Sequence, residues 1–258
     1  MIKNNVNVEI KNEVATISIN REPVNALSNN LLKSLKESFV NLETKKNVRL
    51  ILLKSSLNHF SAGADLKQRS IMTKDDSQSA LDVFRDCFRS IEKSSKITVC
   101  KINGYCLGGG AELALCFDFR IATPDAIIGF PEVGIGIIPG AGGTQRLPKL
   151  IGLSNAKYWI YTAKKFKANE ALDYNFINFI YDFDCIDLEI SKFIDKILSN
   201  SPFGVRYAKQ AIQDGFGLPI EKGLDIERNK YNATVNTEDR KEALKAFSEK
   251  RKPIWRNK

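Results

Sequence analysis

Two glutamates and two clusters of small residues are where this sequence could do chemistry. Gly108-Gly109-Gly110 runs straight into Ala111-Glu112, and Phe130-Pro131-Glu132 places a second carboxylate 20 residues further on. Ala62-Gly63-Ala64-Asp65 is the other cluster. Glycine lets a ligand come close to the backbone, and the first turn of a helix offers unpaired N–H groups backed by the positive end of its dipole. Such donors suit a site where negative charge builds up on a substrate oxygen. Two carboxylates beside them suit proton transfer. Both glutamates have apolar neighbours, Glu112 among Ala111, Leu113, Ala114 and Leu115, Glu132 in a run of Gly, Ile and Val after Pro131. Burial there raises a carboxyl pKa. Tight strand-to-helix turns and solvated glutamates would use the same residues, and the residues alone leave both readings open.

The elements that must position these groups follow from periodicity. Residues 14–19 alternate and are β-branched, which predicts a strand; turn residues follow at 20–25. Ser28 then caps a helix that places Leu31, Leu32, Leu35, Phe39 and Leu42 on one face. Residues 48–53 form a continuous apolar strand, buried on both sides, that leads into the Ala62-Gly63-Ala64 cluster. A second helix carries Leu81, Phe84, Phe88 and Ile91, and a strand at 97–102 leads into the triple glycine. If the two strands are neighbours, both clusters meet at one sheet edge, where α/β proteins place ligands. The N–H groups of Ala64 and Gly109 then converge on one carbonyl oxygen. Short strands are expected near 119–122 and 127–130, and a mostly helical pattern after residue 144. Pro202 opens a helix that stops at Asp214-Gly215, and the chain from about residue 221 is helical and charged. Strand–helix alternation to about residue 200 predicts an α/β fold with parallel pairing.

Several other motifs fail. A dinucleotide fingerprint needs glycine at 113, which is Leu113, and no phosphate-binding P-loop motif is present. His59, the one histidine, lacks a nucleophile-elbow context and reads as structural. The five cysteines form no Cys-x-x-Cys pair, which predicts reduced, buried thiols and no metal site. With 43% hydrophobic and 27% charged residues the composition is that of an ordinary globular protein. No apolar run reaches a membrane span, and Met1-Ile2-Lys3-Asn4-Asn5 lacks the apolar core of a signal peptide, so a cytoplasmic protein is expected. A net charge of +9 invites an anionic partner, either a polyanion such as RNA or a phosphate-rich small molecule.

The whole chain resembles the crotonase (enoyl-CoA hydratase/isomerase) superfamily. The likeness is carried by Phe60-Ser61-Ala62-Gly63-Ala64-Asp65-Leu66 and by residues 103–113, Asn-Gly-Tyr-Cys-Leu-Gly-Gly-Gly-Ala-Glu-Leu. It continues in Pro131-Glu132, in residues 138–147 (Ile-Pro-Gly-Ala-Gly-Gly-Thr-Gln-Arg-Leu), and in the tail at 246–253. The resemblance implies a spiral of ββα units over residues 1–200 and a helical region at 201–258 that builds a trimer or a dimer of trimers. It also implies a coenzyme A thioester as substrate, with no separate cofactor and no metal. Carried over position by position, Ala64 and Gly109 supply the oxyanion-hole N–H groups, and Glu112 and Glu132 match the two catalytic glutamates of the hydratases. Ala26, Ala64, Asp65, Leu66, Lys67 and Gly109 match the strip that binds coenzyme A. The branch most similar in flavour is the methylglutaconyl-CoA hydratases. Isomerisation of a Δ3-enoyl thioester is the enzymatic rival, and the pathway implied is fatty-acid β-oxidation or branched-chain amino-acid breakdown. An RNA-binding relative in that branch carries a lysine comb on its first helix; here the positions are Asn29, Lys33 and Glu37, with one lysine.

Overall fold

Apolar strands lie side by side because each has a helix or a second sheet to bury its faces. The structure, a computed structural model, describes residues 5–257; the first four residues, read above for a leader segment, lie outside them. Val6–Lys11 (β1) and Val14–Ile19 (β2) form a hairpin. Its turn is Asn12-Glu13, both at positive φ (48° and 65°), the backbone of a two-residue type I′ connection. The sequence reading has no strand at β1. Only Val6 of it is buried, so no core-facing run marks it.

Ser28 caps Asn29–Glu43 (α1) by accepting the Leu31 N–H, and the buried face is the one the spacing predicts. Next come Leu50–Ser55 (β3), the single turn Leu66–Arg69 (α2), and Lys74–Glu92 (α3), which opens with a Thr73/Asp76 capping box. Ile97–Ile102 (β4), Tyr105–Leu107 (β5) and Gly109–Ala114 (α4) form one ββα unit. Phe119–Ala122 (β6), Ile127–Gly129 (β7) and a 3-10 turn at Pro131–Ile135 repeat its outline. Gly143–Ile151 (α5), Leu153–Tyr161 (α6), Lys165–Lys167 (β8), Ala168–Asp173 (α7), Phe179–Ile180 (β9) and Ile186–Leu198 (α8) follow. β8 and β9 fall where the sequence pattern reads as helical; at three and two residues they are too short to show a period.

The larger sheet has the order β1-β2-β3-β4-β6-β9, with β2–β3, β4–β6 and β6–β9 parallel. A smaller sheet, β5-β7-β8, stands beyond the strand ends. Successive units put one strand in each sheet, which is the ββα spiral. By compactness the chain divides into residues 1–94 with 98–189, and residues 95–97 with 190–258. In the first unit the inner faces of β2, α1, α3 and α4 bury Ile17, Leu35, Phe39, Phe88 and Leu113. Trp159 stacks on Phe166 at 4.0 Å between centroids, with Phe130 and Phe176 beside it. Arg120 is buried and donates to the carbonyls of Phe176 and Phe117, both at 2.6 Å, so a cation serves as a backbone clamp.

In the second unit, Ser201 caps Pro202–Gly215 (α9), with proline at the first helical position. Ile220–Val235 (α10) packs on α9, and Lys230 reaches Gln210 and Asp214 across the pair. Glu238–Ser248 (α11) is followed by a tail that turns back on it. Glu242 takes Arg251 and the Ile254 N–H, and buried Asp239 accepts the Arg256 N–H. Ile212, Phe216, Ile220, Leu224 and Tyr231 are exposed on α9, α10 and the turn between them.

Candidate active site

Two loops that leave neighbouring strands, β3 and β4, are zipped together by backbone hydrogen bonds. Phe60 N–H donates to Asn103 O, Ser61 N–H to Tyr105 O and Leu107 N–H to Ser61 O, at 2.7–3.0 Å. The bridge Ser61–Cys106 is followed by a second, Leu27–Ala64. Gly63 sits at φ +96°, and a Cβ there would stand 2.7 Å from Leu107 O and 3.2 Å from Gly109 N. A Cβ on Gly109 would in turn lie 3.4 Å from Ala64 N. The Ala64 and Gly109 amides are therefore neighbours. Among the described residues neither donates to a protein acceptor, because Gly109 begins α4 and Ala64 pairs only through its flanking residues. Two free amides side by side at a helix start are an oxyanion hole in geometry.

The triple glycine serves three needs. Gly108 holds φ +52°, ψ −123°, and a Cβ there would stand 3.0 Å from Glu132 Oε1. Gly109 supplies the amide. Gly110 lets α4 seat on the opposite loop, where a Cβ would lie 2.6 Å from Ser61 O.

Glu112, 3% exposed, faces the 139–143 loop, and its Oε1 accepts the N–H groups of Ala141 and Gly143, both at 2.8 Å. Burial raises its pKa, and those two amides oppose the rise. Glu132, 8% exposed, rides on the 3-10 turn, and its Oε2 is buried with no hydrogen-bond partner. Burial first, and the nearby charge of Glu112 after it, push Glu132 up to about 7. The two carboxyls thus differ. Glu112 has amide donors that favour its anion, whereas Glu132 lacks a donor on one oxygen and favours its acid form.

Both glutamates line one cleft of about 550 Å³, open to solvent, together with Ala64, Gly109, Leu66, Arg69, Phe84 and the isoleucines at 135, 137 and 138. Of the residues singled out in the sequence, Ala64, Leu66, Gly109, Glu112 and Glu132 come together here. Ala26, Asp65 and Lys67 stand outside the lining. Asp65 caps α2 through the Lys67 and Gln68 N–H groups and pairs with Arg21 at 2.5 Å, while Arg21 also donates to Ala26 O. Burial would lift the Asp65 pKa, but the Gln68 N–H and the Arg21 guanidinium hold it below the usual value. Asp65 therefore shapes the loop that carries Ala64. His59 accepts the Tyr105 N–H at Nδ1 and stacks on that ring, a structural role. All five thiols are free; Cys87 and Cys100 are buried and pushed up to about 12.

Sequence reasoning misses the supports of the site. Arg146 forms a two-pronged pair with Glu92 (2.9 and 2.8 Å) and donates to Ala141 O, which fixes the loop whose amides hold Glu112. Buried Asn25 binds Ser55 and the His59 carbonyl, and its own carbonyl takes the Ser61 hydroxyl, whose oxygen accepts the Gly63 N–H. These partners are 30 to 54 residues apart where they join separate loops, so no local pattern reveals them.

The family profile described as enoyl-CoA hydratase/isomerase matches residues 9–258. The chain belongs to that family. It is 37% identical over 251 residues to the short-chain-enoyl-CoA hydratase of Clostridium acetobutylicum, covering 96% of each chain. Identity to the mitochondrial methylglutaconyl-CoA hydratase of Mus musculus is 38% over 249 residues, 94% of this chain and 79% of that one. The crystal structure of enoyl-CoA hydratase from Bacillus anthracis superposes with a TM-score of 0.95 at 38% identity, covering 98% of this chain and 100% of that one. The crotonase fold expected from the sequence is the fold observed.

The Glu132 environment makes a prediction for stability. Its folded-state pKa is raised from 4.5 to about 7, so the folded state keeps a proton that the unfolded state gives up. That preference weakens as pH climbs through the window between these values, and folding loses roughly 2–3 kcal/mol between about pH 5 and pH 8. Glu132→Gln removes this contribution. Urea unfolding of both proteins at the two pH values should show the parent losing that much more than the variant. Parallel losses would mean that Glu132 titrates normally.

Proposed function

We propose that this chain hydrates trans-2-enoyl-CoA thioesters. The observation that carries the reading is the pair of free amides at Ala64 and Gly109 facing the same cleft as Glu112 and Glu132. The thioester carbonyl accepts both amide hydrogens, which draws electron density from the conjugated double bond toward oxygen. Glu112, whose anion the Ala141 and Gly143 amides favour, takes a proton from a water molecule as its oxygen bonds to C3. Glu132, pushed up to about 7 and so available in its protonated form near neutral pH, gives its proton to C2. Water is consumed, one C–O and one C–H bond form, and the second carboxyl recovers its proton from the first through solvent. The reverse reaction runs with the roles exchanged; both directions draw on the same singly protonated carboxyl pair and therefore share one pH dependence.

No separate cofactor enters this scheme, since coenzyme A is part of the substrate. Ala26, Leu66 and Lys67 are proposed to border the coenzyme A moiety beside the Arg21–Asp65 pair. Exposed apolar side chains on α9 and α10 support a homotrimer or dimer of trimers, with these helices between subunits. Free thiols suit a reducing compartment, and the cytoplasm is the one proposed; among the described residues no helix is long and apolar enough to cross a membrane.

Methylglutaconyl-CoA is the alternative acyl group, on the likeness to the mouse enzyme. The isomerase reading is tested directly by supplying 3-pentenoyl-CoA. A hydratase leaves it largely unchanged while hydrating crotonyl-CoA quickly. Fast appearance of the conjugated 2-enoyl ester without hydration would transfer the assignment to isomerisation.

A further inference from the structure

The loop that holds Glu112 has little stiffness of its own. It reads Pro139-Gly140-Ala141-Gly142-Gly143, and a chain so rich in glycine does not by itself fix the direction of its amides. Two of those amides nevertheless converge on one atom, Glu112 Oε1. Among the described residues Glu112 Oε2 makes no hydrogen bond, so one oxygen is anchored and the other is left to the cleft that Glu112 lines. What stiffens the loop is Arg146, in the first turn of α5. Its Nη1 donates to Ala141 O at 3.0 Å. Gly142, at φ +110°, makes room for it, since a Cβ there would stand 2.0 Å from Nη1. Glu92, the last residue of α3, holds the guanidinium from the far side through Nε and Nη2 at 2.9 and 2.8 Å. Glu92, Arg146 and Ala141 thus link the end of α3 to the carboxylate in the cleft.

On the hydratase reading given above, we infer that Arg146 and Glu92 are positioning residues that decide which of the two cleft glutamates acts as the base. Two carboxyls that share a cleft also share a proton, and the working arrangement has it on Glu132. The amides on Oε1, with a cation behind them, keep it there by favouring the Glu112 anion. Without Arg146, Ala141 O loses its donor, the loop relaxes and the amides leave Oε1. Burial then acts on Glu112 unopposed, the proton passes to it, and the pair stands in the wrong form for hydration. The other groups facing Glu112 do not replace this support. Arg69 of α2 also favours its anion but makes no bond to the loop among the described residues, and Glu132 on the 3-10 turn is the opposing carboxyl. The Cys116 thiol, on the same helix as Glu112, stays neutral because burial pushes its pKa up. Lys93 and Lys149 act on Glu92 at the outer end.

The test follows crotonyl-CoA hydration by the full chain and by Arg146→Met, Arg146→Lys and Glu92→Gln, from about pH 5 to about pH 9. Arg146→Met should lower kcat at neutral pH roughly 10–100-fold, while KM changes less than about threefold. The acid limb of its kcat profile should move up by about one pH unit, because the Glu112 anion has lost its supports. Arg146→Lys keeps the charge but not the fork and should reverse part of that shift. Glu92→Gln should show a smaller shift in the same direction. A drop in kcat that is uniform across pH would reduce Arg146 to a strut of the fold and overturn the inference, and so would unchanged kcat. Should Arg146→Met fail to fold, the half-buried Glu92 decides: a folded Glu92→Gln with the parent's profile overturns the inference equally. A parent that leaves crotonyl-CoA untouched sinks the hydratase reading instead, before any variant is compared, so the two failures are distinct.

Discussion

Glu132→Gln should lower the turnover of crotonyl-CoA by roughly 10²–10⁴-fold, the usual contribution of a positioned acid or base. The amide fills the same space on the 3-10 turn but has no proton to give C2. Since the group acts only as the C–H bond forms, kcat and kcat/KM should fall together while thioester affinity holds. Stability should move the other way at alkaline pH, where the parent must keep a charge in a site that burial disfavours. A variant that is better folded at about pH 8 and nearly inactive separates the two roles of one side chain. Undiminished turnover in Glu132→Gln would remove this residue from the mechanism.

Gly63→Ala is expected to be nearly as damaging, although residue 63 contributes no group to the reaction. Its Cβ would press on Leu107 O at 2.7 Å, a backbone atom that no rotamer change can move, and would crowd Gly109 N at 3.2 Å. The loops carrying Ala64 and Gly109 must then part, and one amide leaves the shared point. Loss of one oxyanion donor costs about 10²–10³-fold in rate. Gly152→Ala is the control. Gly152 also has positive φ (+84°), yet nothing lies within 4 Å of its Cβ position. Both variants carry positive-φ strain of roughly 1–3 kcal/mol, but only Gly63→Ala should lose activity at a temperature where both are folded. Equal losses would trace the effect to strain alone.

Much of this arrangement is legible in the sequence, for identifiable reasons. β2, β4, β6 and α1 follow apolar periods long enough to be unambiguous, and Ser28 and Pro202 mark helix starts by their capping chemistry. Glu112 and Glu132 stand out because carboxylates in apolar runs are unusual, and the glycines because they follow strands. What the sequence conceals depends on distance along the chain. Glu92 gives no local sign that it clamps Arg146, and Arg21 reads as turn chemistry although it ties Asp65 to Ala26. Asp65 illustrates the limit from the other side. The resemblance places it in the substrate strip, and the structure adds that its side-chain oxygens cap α2 and hold Arg21, partners that the local sequence does not mark. The difference in character between the two glutamates is likewise invisible in sequence, because it rests on the Ala141 and Gly143 amides reaching one carboxylate while the other keeps a bare buried oxygen.

The most direct measurement is the fate of crotonyl-CoA in buffer made with ¹⁸O-water. The arrangement of Ala64, Gly109, Glu112 and Glu132 predicts rapid loss of the conjugated thioester and a 3-hydroxybutyryl-CoA product carrying one ¹⁸O at C3. Recovery of unlabelled, unchanged crotonyl-CoA from the folded protein would contradict it.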